Sequence, residues 1–160
     1  METIRKFEIK DYEAVMNIFR ETDFGCTGIN DIFKPGEQTQ SFMLREILRG
    51  ESDEELLVLL IDEIVKGYVI VQNVDEKFWH ISQIAIDEVD RNKGYGRKLL
   101  TKVQELAKKS NKDIKLECFD KNNEFFLKQG FEIENEDEIL VYYNWNHQKD
   151  LSKKEELEER

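Results

Sequence analysis

Seven consecutive residues, Arg91-Asn92-Lys93-Gly94-Tyr95-Gly96-Arg97, concentrate the chemistry of this chain. Gly94 and Gly96 have no Cβ, so a ligand can come close to the backbone there. A helix starting at this point leaves its first N–H groups unpaired, and its dipole favours negative charge. With Arg91, Lys93 and Arg97 alongside, the segment is an anion site whose natural guest is a phosphate or pyrophosphate. Spacing narrows the choice. A dinucleotide fingerprint needs a third glycine three residues after Gly96, and Leu99 stands there. No Gly-Lys-Ser/Thr follows, which disfavours a nucleoside-triphosphate loop. What remains is Arg-x-x-Gly-x-Gly.

The flanking elements place that turn at a strand-to-helix junction. Upstream, His80 to Ile86 reads as a strand, with apolar Ile84 and Ile86. Downstream, Leu99, Leu100, Val103, Leu106 and Ala107 recur at helical spacing, opposite Lys102, Glu105, Lys108 and Lys109. Earlier in the chain, Ile4 to Ile9 reads as a strand with Phe7 and Ile9 on one face. Asp11 then caps a helix whose stripe is Tyr12, Val15, Met16 and Phe19. Phe24 to Gly36, with the sole proline, reads as a loop. A second helix is expected from about Gln38 to Arg49, burying Phe42, Met43 and Ile47, with Gly50 ending it. Glu55 to Ile61 and Val65 to Gln72 form a hairpin about Asp62-Glu63. Ile114 to Phe119 is another strand. Asn122 or Asn123 caps a short helix stopped by Gly130, and Phe131 to Ile133 and Ile139 to Trp145 close the fold.

Composition sets outer bounds. A chain of 160 residues suits one domain with a proper core. The formal net charge of -11 argues against nucleic acid as a partner, because phosphate backbones attract basic surfaces. Cys26, Cys118, His80 and His147 complete no metal-ligand spacing, so no metal is expected. Cys118 alternates in phase with Ile114 and Leu116 and reads as core. No apolar run is long enough to cross a bilayer, and the first residues lack a long apolar stretch. A cytoplasmic protein with no membrane partner is expected. Residues 147–160 form a charged tail to which no function is assigned.

A second motif joins the first. Asp120 to Phe131, with Asn122, Phe125, Phe126, Lys128, Gly130 and Phe131, resembles the downstream signature of the GNAT-type N-acetyltransferases. In that signature an Asn precedes a short helix ending Phe-Tyr-x-Lys-x-Gly-Phe. The glycine turn resembles the same family's pyrophosphate signature, and the order of elements from Ile4 to about Trp145 is the family's order. The resemblance implies an α/β (α+β) fold. A mixed central sheet of about six to seven strands is flanked by about four helices, with two central strands splayed apart. It implies one acetyltransferase domain over residues 1–146.

The resemblance also implies acetyl-CoA as co-substrate. Backbone groups of Ile84, Ala85 and Ile86 would bind the pantetheine arm as if it were an added strand. Groups from Arg91 to Arg97, including Asn92, Lys93, Gly94, Tyr95 and Gly96, would hold the pyrophosphate. Asn122 would contact the pantetheine or help shape its exit, and Phe125 or Lys128 would lie near the coenzyme tail. The acceptor would be the amine of a small molecule or peptide, attacking the thioester directly, and a homodimer is a common assembly in this family.

Catalysis needs an unprotonated amine, a stabilised oxyanion and a proton for the leaving thiolate. An N–H near Ala85 or Ile86 can serve the oxyanion. The family's Phe-Tyr pair is Phe125-Phe126 here, so Tyr142 or Tyr143 on the last strand, or water, stands in as acid. In place of a strand glutamate the chain offers Ser82 and Gln83, which leaves Glu117 and His80 as candidate bases. The alternative is a non-catalytic acyl-CoA-binding regulatory module of the same fold. Transfer of a longer acyl chain is a third reading.

Overall fold

The computed structural model describes residues 1–22, 35–119 and 124–149. Seven strands build one sheet: β1 (Glu2–Lys6), β2 (Glu54–Ile61), β3 (Ile64–Asn73), β4 (Phe78–Ile86), β5 (Asp113–Cys118), β6 (Glu132–Glu136) and β7 (Val141–Trp145). Among the described residues there are four α-helices: α1 (Tyr12–Glu21), α2 (Glu37–Arg49), α3 (Tyr95–Lys109) and α4 (Glu124–Lys128). The strands lie in the order β1-β2-β3-β4-β5-β7-β6, and every pairing is antiparallel except that of β4 with β5.

Two apolar layers sandwich the sheet. On one side Leu99, Leu100, Val103 and Ala107 of α3 pack on Leu57, Val69, Ile81 and Leu116, together with Phe126 and Phe131. On the other, Val15, Met16, Ile18 and Phe19 of α1 and Leu44 of α2 pack on Leu56, Val58, Tyr68 and Ile70. Both faces of β2 and β3 are thereby covered. That is why Leu56 to Leu60 reads as a continuous apolar run and not as an alternation.

The β2–β3 hairpin forms about Asp62 and Glu63, both at positive φ (49° and 68°), as a two-residue turn between paired Ile61 and Ile64 requires. Gly50 ends α2 in the left-handed region at φ 71°.

Three expectations fail for physical reasons. The first strand stops at Lys6, and Ile9 begins a 3-10 turn with its side chain in solvent, although Phe7 is buried. Asp11 does not cap α1. Its carboxylate instead accepts from the Glu8 N–H (2.9 Å) and from both guanidinium nitrogens of Arg5 (2.7 and 3.0 Å). Helix α2 is rotated from its expected face: Gln40 and Leu44 are buried, and Phe42 is exposed. A buried partner for the Gln40 amide, described below, decides that rotation.

Candidate functional site

Strand pairing sets up the site. β4 and β5 run parallel and pair only through Phe78↔Asp113, Trp79↔Ile114 and His80↔Lys115. Beyond that point β4 continues for six residues to Ile86 with no partner on its β5 side among the described residues, so the strands part into a slot. An irregularity in the β3–β4 register places Ser82 as an extra residue between Ile81, opposite Val71, and Gln83, opposite Ile70. Such bulges re-aim side chains and end pairing. On the other edge β3 stays close. Gly67 pairs with Ile86, and a Cβ there would meet Ile86 Cδ1 at 2.5 Å and the Ala85 carbonyl at 2.9 Å.

The slot leads from β4 to the glycine turn. Asn92 and Gly94 both take left-handed backbone, at φ 67° and 83°. Gly94 precedes α3 with no side-chain cap, and the first-turn N–H groups of Tyr95, Gly96 and Arg97 remain available before Lys98 donates to the Gly94 carbonyl at 3.2 Å. The first turn holds no acidic residue. A cavity of about 710 Å³ runs along this surface from Ile84 and Ile86 past the turn to Phe125. The edge of the Phe125 ring lies against Gly96, where a Cβ would stand 3.3 Å from Cζ.

Other expected donor-site residues fall as follows. Arg91 donates its Nε to the Ile86 carbonyl at 3.3 Å, and Lys93 pairs with Asp90 at 3.0 Å. Ala85 is buried toward α1 and α2. Lys128 stands in solvent, 3.6 Å from Glu124 one helical turn away, and does not line the cavity. Asn122 lies outside the described residues, as do Cys26 and all of the expected loop from Phe24 to Gly36 except Pro35 and Gly36.

The candidate proton-transfer groups gather at the fork of the slot. His80 Nε2 bonds Glu117 Oε2, joining the last paired residue of β4 to β5. Tyr142 is opposite Glu117 across the β5–β7 pair and donates to Asp137 at 3.1 Å. That bond, then partial burial, holds the Tyr142 phenol above its ordinary range. Backbone N–H groups of Leu140 and Ile139 hold the Asp137 carboxyl below its usual range. A cavity of about 330 Å³ collects His80, Glu117, Asp137 and Tyr142.

Tyr143 is a correction. It pairs with Leu116, is 1% exposed, and its ring packs 5.9 Å from that of Phe126 in the α3-side core. A side chain one residue along a strand takes the opposite face, so Tyr142 stands on the side of Glu117 while Tyr143 borders the same cavity from the core. Cys118 is buried in the same core as expected.

Several participants escaped sequence reasoning. Gln83 and Gln40 exchange amide hydrogen bonds (2.7 and 3.0 Å), and Tyr68 donates to the same Gln83 oxygen at 2.7 Å. Both glutamines are 0% exposed, so this network pins α2 to β4 at the residue before Ile84. Burial pushes the Tyr68 phenol well up, which keeps it a donor. Glu54, on the row with Gln72 and His80, has its carboxyl raised by burial and by Asp53, opposed by Ser82 and His80. Asp90 sits between Lys66 and Lys93 at 3.0 Å from each. The useful signal was a polar residue amid apolar neighbours, as at Gln40 and Gln83; nothing local marks Lys66.

A seven-stranded mixed sheet that forks beside a glycine-rich helix start is an acetyltransferase architecture, and comparison with known families agrees. Residues 12–131 match the Acetyltransferase (GNAT) family, and the chain belongs to it. It is therefore an acetyltransferase that uses acetyl-CoA. Solved structures share the fold. The PaiA N-acetyltransferase of Thermoplasma acidophilum, in complex with coenzyme A, is 15% identical, with a TM-score of 0.71 over 91% of this chain and 99% of that one. The ribosomal-protein-S18-alanine N-acetyltransferase of Escherichia coli is 18% identical, with a TM-score of 0.69 over 91% and 93%. Ard1 of Thermoplasma volcanium is 24% identical, with a TM-score of 0.65 over 91% and 96%. No curated protein sequence matches the chain. Among the described residues, no helix is long and apolar enough to cross a membrane.

Proposed function

We propose that this acetyltransferase moves the acetyl group of acetyl-CoA onto the amine of a small molecule or peptide by direct attack on the thioester. The observation that carries the reading is the fork itself. β4 ends its pairing with β5 at His80, and the free edge from Ile81 to Ile86 runs to an uncapped helix start flanked by Arg91, Lys93 and Arg97. An extended pantetheine arm matches a free strand edge, and a pyrophosphate matches free N–H groups at a helix dipole. The residues present therefore fit the donor. Among neighbours of this fold, one structure holds coenzyme A and another is named a ribosomal-protein-S18-alanine N-acetyltransferase, which supports a coenzyme A donor and an amine acceptor.

The chemistry follows from the groups at the fork. The unprotonated amine attacks the thioester carbonyl carbon, forming the C–N bond, and the C–S bond breaks with its electron pair on sulfur. The proton lost by nitrogen passes to the Glu117–His80 pair, and the thiolate takes one from Tyr142. Protons balance without a further reactant. An N–H of the Ala85–Ile86 segment serves the oxyanion.

The test is thiol release from acetyl-CoA across a panel of small amines and amino-terminal peptides, with coenzyme A binding measured by calorimetry. Acceptor-dependent thiol release with a mass gain of one acetyl group is expected. Absence of coenzyme A binding would refute the donor site.

A further inference from the structure

The geometry points to Asp90 as a positioning residue that holds the glycine turn in its anion-binding shape by bridging Lys93, within the turn, to Lys66 on β3. The inference rests on the reading of that turn as the pyrophosphate site and names what keeps it in shape.

The turn needs such support. Asn92 at φ 67° is a non-glycine residue in the left-handed region, and Gly94 at φ 83° follows two residues later. Glycine takes this backbone freely and asparagine at modest cost, so side-chain ties select this shape among those open to the turn. The 3-10 turn before it (Glu88–Asp90) is anchored at its start, where Asp87 N–H donates to the Lys66 carbonyl at 2.8 Å and Asp90 N–H donates to the Asp87 carbonyl at 2.8 Å. Side chains supply the second anchor. Asp90 is 5% exposed, with Oδ1 at 3.0 Å from Lys93 Nζ and Oδ2 at 3.0 Å from Lys66 Nζ. Among the described residues that Oδ2 accepts no hydrogen bond of good geometry, so its tie to Lys66 is an ion pair across the buried gap. The backbone at Lys66 is held in place, because its carbonyl accepts from Asp87 N–H and Gly67 beside it pairs with Ile86. Lys93, then Lys66, hold the Asp90 carboxyl below its usual range, and Asp90 raises the Lys93 ammonium.

Charge alone predicts the opposite of this role. Asp90 lines the cavity that would take the pyrophosphate, and a carboxylate beside an anion site repels the guest. On that view, neutralising it would tighten binding and free Lys93, more than half exposed, to reach a phosphate. On the positioning view, neutralising it loosens the turn and weakens binding even though a repulsive charge has gone. The two accounts differ in sign, and one substitution separates them.

The experiment measures coenzyme A binding by calorimetry, and acetyl-CoA kinetics, for the full chain and for Asp90→Asn, Asp90→Glu, Lys66→Gln and Gly96→Asp. Asp90→Asn should weaken coenzyme A by about tenfold, the scale of one charge-assisted hydrogen bond. The acetyl-CoA KM should rise in step while kcat at saturating donor stays unchanged. Asp90→Glu should recover part of the loss. Unchanged or tighter binding by folded Asp90→Asn overturns the inference, and so does a fall in kcat with no change in affinity. If Asp90→Asn does not fold, Lys66→Gln decides. Its loss should persist at about 0.5 M salt, where simple charge effects are screened. A loss that vanishes with salt overturns the inference. Gly96→Asp isolates the underlying reading. If it binds coenzyme A normally, the turn assignment fails and this inference fails with it. If it abolishes binding while Asp90→Asn does not weaken it, only the role of Asp90 is refuted.

Discussion

Gly96 is the position where stability and donor binding should move in opposite directions. It lies in the first turn of α3 with ordinary helical backbone, so its glycine is not required by φ. Replacing glycine by alanine inside a helix gains about 0.5–1 kcal/mol. The new Cβ would stand 3.3 Å from Phe125 Cζ, 3.6 Å from Cε2 and 3.8 Å from Ile86 Cγ1. The tight contact is with the end of a ring on the short helix α4, which can give by a few tenths of an ångström. Most of the gain should therefore survive, and Gly96→Ala should melt at or slightly above the parent temperature. Binding should weaken, because the methyl group and the displaced ring occupy the wall of the slot. Gly96→Asp sharpens the contrast. An acidic residue in the first turn favours the helix dipole by about 0.3–1 kcal/mol. The same charge about 4 Å from a phosphate costs about 4 kcal/mol at an effective dielectric of 20, or roughly a thousandfold in Kd. Calorimetry with coenzyme A and thermal unfolding of the ligand-free protein read the two effects separately. A folded Gly96→Asp protein with parental affinity would refute the argument that this turn holds the pyrophosphate.

Glu117→Gln should lower kcat by about 10²–10³-fold with coenzyme A affinity unchanged, the scale of a lost general base; equal losses in kcat and in donor binding would instead make the His80–Glu117 bond a structural tie across the fork. Tyr142→Phe should lower kcat by about tenfold or more. Because its bond to Asp137 raises the phenol, the parent enzyme should keep its acid form to higher pH than an ordinary tyrosine would, and a kcat–pH profile with a tyrosine-like decline below pH of about 9 would oppose that role. Asp11→Asn should cost about 1.5 kcal/mol at pH 7, the scale of a hydrogen bond to a charged group, because Arg5 is a quarter exposed and still reaches Glu8 at 3.1 Å. Burial opposes ionisation of Asp11, yet the Arg5 guanidinium and the Glu8 N–H hold its folded pKa below the unfolded value, so this stability is present above the unfolded pKa and lost as pH falls through the folded one. Denaturation of parent and Asp11→Asn should therefore converge at acid pH, and a difference that persists there would refute the pairing. Glu54→Gln has the reverse sign: burial raises its folded pKa, so stability is present below the unfolded pKa and lost as pH rises, and the substitution should raise the melting temperature at pH 7 but not below pH of about 4.

The proposed donor side of this protein was legible in its sequence because backbone would do the binding there. A strand, two glycines and a helix start are written in consecutive residues. Periodicity locates β4 and α3, and Gly94 and Gly96 mark where main-chain N–H groups stay accessible. Where the reading slipped, a polar side chain had found a distant partner. Phe42 reads as core by spacing, but the Gln40–Gln83 amide pair turns α2 so that Gln40 and Leu44 face inward. Asp11 reads as a helix cap, but Arg5 lies close enough on the preceding strand to claim it. Ile9 shows the same limit, since alternation cannot say that a strand will turn at Glu8.

The acceptor side is built the other way, and this explains why its residues stayed open in the sequence. His80 and Glu117 are 37 residues apart and meet only because β4 and β5 pair in parallel. Tyr142 joins them because β7 lies between β5 and β6, an order that consecutive strands do not announce. One residue of register separates it from Tyr143, and that single step decides which phenol faces the fork and which is buried beside Phe126. The position where the family signature carries a tyrosine is here a core phenylalanine, 1% exposed and packed on Phe131 and Tyr143. A tyrosine at that place would bury its hydroxyl in an apolar cluster, at a cost unless it found a partner. In the proposed mechanism the acid function falls to Tyr142, which leaves the proposed donor slot undisturbed because the two groups of residues share only the fork between β4 and β5. Replacing the acceptor-side residues should change which amine is acetylated and at what pH, while the coenzyme continues to bind along Ile84 to Ile86 and at the glycine turn.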